Sequence, residues 1–222
     1  MAADQAAGLR RRRSKQPPRL VHCCAGTVDL TRRLVRALHG AGGPVLLIDT
    51  GGRLFADVQA RSLFDWRRQL ACGQPYLIQT DAADGWFAPG LRADMPGLRD
   101  LAQSYAFVVL DAAPGAVDWA PMADAIHGCV VDTGTTPDDL LQRYALLKTL
   151  AGRARGVPLH VGLAGGTAAC DRLLAACRHF LEPAFSRCLQ RLEDTDDAFA
   201  ALAARMAGEE TRLTARNNTG NT

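Results

Sequence analysis

The pattern of hydrophobic and polar positions predicts strands and helices that alternate along the chain. Short, uninterrupted apolar runs such as Val45 to Ile48 are typical of strands buried on both faces of a parallel sheet. Segments with leucines at helical spacing, such as Leu30, Leu34 and Leu38, predict amphipathic helices. Strands are predicted at 20–24, 45–48, 76–79, 107–110, 128–131 and 159–163, and helices at 27–41, 58–72, 96–105, 137–150, 168–181 and 198–206.

This alternation predicts the fold class and the domain organisation. Right-handed crossovers between such strands give an α/β fold with a doubly wound, mostly parallel sheet and helices on both faces. The 222 residues suit one such domain, at 20–207, preceded by an arm at 1–19 and followed by a polar, disordered tail at 208–222. The segment from Asp81 to Met95 follows neither period, so it is assigned to no element.

Charge and cysteine usage narrow the function classes. The formal net charge is only +3, and the positive excess lies in the arm, so the domain is not expected to bind nucleic acid. The seven cysteines show no C-x-x-C spacing, which argues against a disulfide framework or a zinc site and indicates reduced thiols. No apolar run is long enough to span a bilayer, and we expect a cytoplasmic protein.

One cluster contains metal-ligand residue types. His22, Cys23 and Cys24 are consecutive in the first predicted strand. Neighbouring side chains of a strand point to opposite faces, so these three cannot converge on one ion. A buried strand is therefore favoured over a metal site.

Polar residues follow several of the predicted strands, at the sheet edge where ligands bind in doubly wound folds. Asp49 to Gly52 follows one strand, Asp111 to Gly115 a later one, and Thr135 to Pro137 precedes a helix that contains Tyr144 to Lys148. This set of segments, in this order, resembles the MinD/ParA group of P-loop ATPases over about residues 20 to 180. The resemblance implies a P-loop NTPase scaffold of the SIMIBI type, which binds ATP and Mg²⁺.

The resemblance also locates a nucleotide loop whose functional residues are missing. The Lys-Gly-Gly-Val-Gly-Lys-Thr loop of the family falls on His22 to Val28, where only Gly26 is retained. His22 and Thr27 stand where the family has lysines, and Val28 stands where a threonine holds Mg²⁺. Because glycine amides and a lysine hold the phosphates in such loops, this loop has lost its phosphate anchor.

The acidic residues of the family are only partly retained. Asp49 matches the first acid of the Asp-x-Asp element, Gly51 replaces the second, and Asp111 matches the acid on the magnesium side. The resemblance thus gives a vestigial nucleotide site made of His22, Gly26, Thr27, Val28, Asp49, Gly51 and Asp111. Phosphoryl transfer depends on positioning and charge stabilisation, so these losses predict a pseudo-ATPase with no catalytic residues and no required cofactor. Weak binding of ATP and Mg²⁺, or rescue by Arg32 or Arg33, is the alternative.

The arm carries a second motif. Asp4, Gln5, Ala6, Leu9 and Arg10 form an Asp-Gln-Ala-x-x-Leu-Arg pattern ahead of the domain. It resembles the arm of the FlhG family, also called FleN, which regulates flagellar number and placement. The resemblance implies that the arm docks on the FlhF-type GTPase and stimulates GTP hydrolysis. On a helix, Gln5 and Leu9 lie one turn apart on the same face, so Leu9 can anchor while Gln5 reaches the partner's nucleotide. The alternative is a basic leader with a chance match.

The resemblance implies further partners as well. These are flagellar switch components, a flagellar transcriptional activator, a second copy of the chain, and the cell pole or inner membrane surface as the place of recruitment. We expect the last helix, with Phe199, Leu202 and Met206, to pack on the domain rather than on lipid, because it is mostly alanine and the two glutamates that follow it match anionic lipid poorly. An ATP-dependent switch with weak nucleotide binding, or an accessory factor of another polar or envelope machine such as cellulose secretion, are the competing hypotheses.

Overall fold

A computed structural model describes residues 19–55, 57–65, 68, 77–112, 121–122 and 125–208. The arm motif from Asp4 to Arg10 and the tail beyond residue 208 lie outside the described residues, so the predictions for them stay predictions.

The described residues form eight strands in one sheet. The strands are β1 (Arg19–Cys24), β2 (Val45–Asp49), β3 (Ile78–Gln79), β4 (Asp84–Phe87), β5 (Phe107–Ala112), β6 (Ile126–Asp132), β7 (Leu159–Ala164) and β8 (Leu189–Leu192). Their order across the sheet is β3-β4-β2-β5-β1-β6-β7-β8. All neighbouring pairs are parallel except β3 with β4.

Helices cover both faces of this sheet. They are α1 (Val28–Gly40), α2 (Leu98–Ala102), α3 (Pro137–Arg153), α4 (Thr167–Phe180), α5 (Pro183–Ser186) and α6 (Asp196–Gly208). On one face, α1 and α6 pack together over the centre of the sheet, where Leu34, Leu38 and Phe199 are buried. On the other face, α2, α3 and α4 bury a second set of apolar side chains. The predicted mostly parallel α/β fold is confirmed.

Polar caps fix where the helices begin. Thr27 caps α1, and its side chain accepts a hydrogen bond from the amide of Leu30. Thr136 caps α3 in a reciprocal capping box with Asp139, and Pro137 occupies the first turn. Both caps lie at the carboxyl edge of the sheet, so α1 and α3 begin next to the strand ends that precede them.

Several predicted elements differ from the structure. Among the described residues of the predicted helix at 58–72, residues 58–62 are not helical, and most of its remainder lies outside the described residues. The unassigned segment at 81–95 contains β4, where Trp86 is buried at 1% exposure. Both β8 and α5 are absent from the prediction. Each has only four residues, and β8 has two polar residues at its centre.

The predicted packing of the last helix is confirmed. Phe199, Leu202 and Met206 of α6 are each about 1% exposed and lie in the core that α6 shares with α1. Among the helices that the structure describes, none is both long enough and apolar enough to cross a bilayer.

Candidate functional site

The parallel strands bring the polar strand ends together at the carboxyl edge of the sheet. Asp111 of β5 lies directly between Cys23 of β1 and Asp49 of β2 in the strand register. Asp132 ends the strand on the other side of β1. Three carboxylates therefore lie at neighbouring strand ends, and their hydrogen-bond partners determine what the edge can bind.

Both carboxylate oxygens of Asp49 accept hydrogen bonds from the chain itself. It is fully buried, and its two carboxylate oxygens accept hydrogen bonds from five consecutive backbone amides, those of residues 51–55. The five donor–acceptor distances run from 2.7 to 3.2 Å. Hydrogen bonds to an ionised acceptor are among the stronger ones in proteins. Asp49 thus fixes the loop after β2 in one conformation.

Asp111 is neutralised by a residue of that loop. Arg53 donates to both of its carboxylate oxygens, with Nη2 at 2.7 Å from Oδ1 and 2.8 Å from Oδ2 and Nε at 3.2 Å from Oδ2. Thr31 of α1 donates to Oδ1 at 2.7 Å, and Arg53 also donates to the carbonyl of Ala25 at 2.7 Å. The guanidinium therefore bridges the acid of β5 and the turn after β1.

The environment of Asp111 acts on its protonation in opposing directions. Burial raises the pKa of Asp111, and the nearby carboxylate of Asp49 adds to this rise. The hydrogen bonds from Thr31 and Arg53 lower the same pKa and so oppose it. Without Arg53, the buried carboxylate would have no cationic partner at this edge among the described residues.

The third carboxylate, that of Asp132 at the end of β6, contacts the turn after β1. Asp132 accepts a hydrogen bond from the amide of Gly26 at 2.9 Å through Oδ2 and one from the amide of Gly134 at 2.9 Å through Oδ1. A Cβ atom at Gly26 would lie 2.5 Å from Asp132 Oδ2, so the close approach needs glycine. An amide that could face an anionic ligand is thus bound to an internal carboxylate.

The turn after β1 is also short. It consists of Ala25, Gly26 and Thr27, because β1 continues to Cys24 and α1 begins at Val28. His22 to Cys24 remain paired with β5 and β6. A phosphate-binding loop must curve its amides around a phosphate group, which a segment inside a sheet cannot do.

The structure brings together some of the predicted site residues and separates others. Gly26, Asp49, Gly51 and Asp111 lie at the carboxyl edge, with Thr27 as the cap of α1 and Val28 as its first residue. His22 lies on the face of the sheet opposite α1, where its ring stacks on that of His127 at 6.1 Å between centroids. Burial lowers the pKa of His22 to about 3, so this imidazole is neutral in the folded protein.

The prediction that the histidine and cysteines of β1 do not converge is supported by their packing. Cys23 packs in the core beneath α1, with its sulfur 3.5 Å from the hydroxyl of Thr31, and Cys24 packs in the core beneath α3 and α4. Burial raises the pKa of the Cys23 thiol, so it remains protonated. Within the described ranges, no three His, Cys, Asp or Glu side chains are grouped so as to hold a metal ion.

Arg53 and Asp132 are the site residues that sequence reasoning missed. From the sequence, Arg32 and Arg33 are the candidates for a rescuing charge. Arg33 instead forms ion pairs with Asp194 and Asp196, which follow β8, and lies over the ring of Phe199. The only sequence signal for Arg53 is its position four residues after Asp49, in a loop that follows a buried strand.

No protein-family model matches the chain, and no curated protein matches it either.

Proposed function

We propose that the chain is an FlhG-like regulator of flagellar number and placement that binds FlhF through its arm and stimulates its GTPase activity. In this proposal the domain is a divergent scaffold of the MinD/ParA type that acts through contacts rather than through ATP hydrolysis. The absence of ATP hydrolysis is inferred from the contacts at the carboxyl edge. There Arg53 donates hydrogen bonds to Asp111, and the amide of Gly26 donates one to Asp132.

The charges at this edge oppose the binding of nucleotide phosphates. Phosphoryl transfer needs cationic groups and a metal ion around the phosphates, and amides that are open to them. Here the cation beside Asp111, Arg53, is committed to that carboxylate, and the carboxylate of Asp132 accepts a hydrogen bond from the amide of Gly26. A phosphate at this turn would meet a negative charge rather than a lysine. These contacts support a pseudo-ATPase.

The arm supports the first part of the proposal. Gln5 and Leu9 are spaced so that one helical face presents both, and Gln5 can orient a water molecule or a phosphate oxygen without adding charge. The arm leads into β1 at Arg19, the amino-terminal end of that strand, so its point of attachment lies at the sheet edge opposite the one that Arg53 and Asp132 occupy. The proposal places the protein in the cytoplasm, with recruitment to the cell pole or inner membrane surface through FlhF.

A GTPase assay with purified FlhF and the full chain tests this function. We expect the chain to accelerate GTP hydrolysis and Gln5→Ala to lose most of that acceleration, because the variant lacks the polar group that reaches the nucleotide. Gln16→Ala is the matched control, since it makes the same change in the same arm outside the motif. Equal stimulation by the two variants, or no stimulation by the unmodified chain, would contradict the proposal.

An ATP-dependent switch is the competing function, and one observation favours it. Asp49 and Asp111 are still adjacent at the ends of neighbouring strands, as a metal-dependent site would require. The two functions differ in whether Mg²⁺ and ATP bind to the isolated protein. A MinD-like accessory role in another polar or envelope machine would leave FlhF hydrolysis unchanged in the same GTPase assay.

A further inference from the structure

The outer edge of β8 has hydrogen-bonding groups that no described strand uses. β8 ends the sheet and pairs only with β7 in the described part of the chain. The amide of Val161 in β7 donates to the carbonyl of Cys188 at 2.9 Å. Because backbone groups alternate in direction along a strand, residues 190 and 192 then also face β7, whereas Leu189 and Arg191 present their N–H and C=O groups outward.

Two helices turn this edge into a cleft. α4 and α6 lie on opposite faces of the sheet and both extend beside β8. The cleft between them has a volume of about 520 Å³, and its floor is β8 itself, with Leu189 and Leu192 buried. An extended segment placed here would pair with the outward groups of β8 and be flanked by a helix on each side.

The cleft carries an excess of positive charge. Arg178 of α4, Arg191 of β8 and Arg205 of α6 line it, and Arg187 lies where the cleft continues towards α5. The two acids of the lining, Asp171 and Glu193, both contact Arg191, at 3.9 and 3.4 Å. Among the residues that the structure describes, Arg178, Arg187 and Arg205 form no ion pair.

Protection of the edge against aggregation does not require this arrangement. A charged side chain on an edge strand is enough to discourage unwanted pairing, and Arg191 already provides one. The additional arginines lie on the helices at both sides and at the end of the cleft rather than on the strand. Their placement matches a ligand that is negatively charged on both of its faces.

We propose that the edge of β8 is a docking site for an extended acidic segment of a partner protein, which adds to the sheet as a further strand. Main-chain hydrogen bonds to Leu189 and Arg191 provide affinity, and the arginines select for glutamate or aspartate side chains. This site lies in the domain and does not depend on the arm, so it would hold whether or not the arm stimulates FlhF.

A fluorescent peptide tests the site. The probe is acetyl-Val-Glu-Glu-Val-Val-Glu-Glu-Val-amide, which places glutamates on both faces when it is extended, and its fluorescence anisotropy is measured with the full chain. We expect saturable binding that weakens as salt rises, and no comparable binding of the same peptide with lysine in place of glutamate. Absence of binding of the acidic probe up to millimolar protein, or equal binding of the lysine peptide, overturns the proposal.

A pair of substitutions at one position isolates the main-chain hydrogen bonds. Arg191→Pro removes both the side-chain charge and an outward N–H, whereas Arg191→Ala removes the charge and keeps that N–H. We expect the proline variant to bind the probe at least about fivefold more weakly than the alanine variant, because a strand-addition site needs the donor. Equal affinities would contradict strand addition. Two probes, N-methylated at the odd and at the even residues, test the same bonds from the peptide side; undiminished binding of both would also contradict strand addition.

Charge variants test the selectivity of the cleft. Arg178→Glu combined with Arg205→Glu should weaken binding of the acidic probe at least about tenfold, because each wall then repels it. Arg32→Glu is the single-charge control, on an exposed site of α1 outside the cleft, and should leave the affinity within about twofold. If Arg191→Pro instead converts a dimer of the chain into a monomer in sedimentation, the occupant is a second copy and the acidic-partner proposal fails.

Discussion

Replacing Asp49 by asparagine should lower the free energy of unfolding by about 3 to 4 kcal/mol, which is a large part of the stability of an ordinary domain. The buried carboxylate accepts five backbone amides from residues 51–55, and an asparagine offers one carbonyl oxygen and an NH₂ group instead. The NH₂ group would face amides that are themselves donors. Some of those amides would then be left without an acceptor.

Urea denaturation at pH 7 measures this effect, with Asp65→Asn as the matched control. Asp65 also accepts hydrogen bonds through its carboxylate, from the backbone and the hydroxyl of Ser62, but does so in an exposed turn. Water can replace those bonds, so the control should lose much less stability than Asp49→Asn. A comparable loss in both variants would show that Asp49 does not hold the loop after β2.

Removing the arginine of the same loop should have a similarly large effect. Arg53→Ala leaves the carboxylate of Asp111 buried with Thr31 as its remaining side-chain donor, and breaking a buried charge pair in this way costs about 3 to 5 kcal/mol. The Arg53 side chain is 21% exposed, which places the expected loss near the lower end, about 3 kcal/mol. Denaturation at pH 7 gives the magnitude.

The pH dependence of this loss has a definite sign. Burial raises the pKa of Asp111, and removal of the Arg53 cation should raise it further. A carboxyl group whose pKa is higher in the folded than in the unfolded protein reduces stability when it is ionised. The reduction is complete at a pH above the pKa of the folded state and disappears at a pH below the pKa of the unfolded state. The deficit of Arg53→Ala should therefore shrink as the pH is lowered from 7 towards about 4.

Arg92→Ala provides the comparison for Arg53→Ala. Arg92 pairs with Asp94 at 2.9 Å, but both side chains are about 40% exposed. The loss in that variant should stay below about 1 kcal/mol and change little with pH, since water screens the pair. A deficit of Arg53→Ala that is equally small, or that does not change with pH, would contradict the role assigned to Arg53.

Much of the fold could be predicted from the sequence because its signals are local. The apolar run of β2 and the leucine spacing of α1 each reflect burial within a single element. The cap at Thr136 and the proline that follows it are also local features. The placement of Asp49 and Asp111 at one edge of the sheet followed as well, because the carboxyl ends of parallel strands meet there.

The missed elements depend on contacts that are distant in sequence. β4 begins with Asp84 and Gly85, which are poor strand formers, and it is a strand because it pairs with β2 and because Trp86 is buried. The short β8 is defined in the same way by its pairing with β7. No local pattern distinguishes either strand from a loop.

The residues that close the carboxyl edge were missed for the same reason. Arg53 and Asp111 are 58 positions apart, and Gly26 and Asp132 are 106 apart. A resemblance to a family predicts which residues match its functional positions, but it does not show which residue elsewhere in the chain pairs with a buried carboxylate. Only the folded arrangement pairs Asp111 with Arg53 and Gly26 with Asp132.

Calorimetric titration of the purified full chain with ATP and Mg²⁺ measures whether the carboxyl edge is closed to nucleotide. We expect no saturable heat. Arg53 is hydrogen-bonded to Asp111, the acid that would face a metal ion, and Asp132 accepts a hydrogen bond from the amide of Gly26 that would face a phosphate. Saturable binding of Mg²⁺ and ATP to the unmodified chain that is lost in Asp111→Asn would contradict the account and favour the nucleotide-dependent switch.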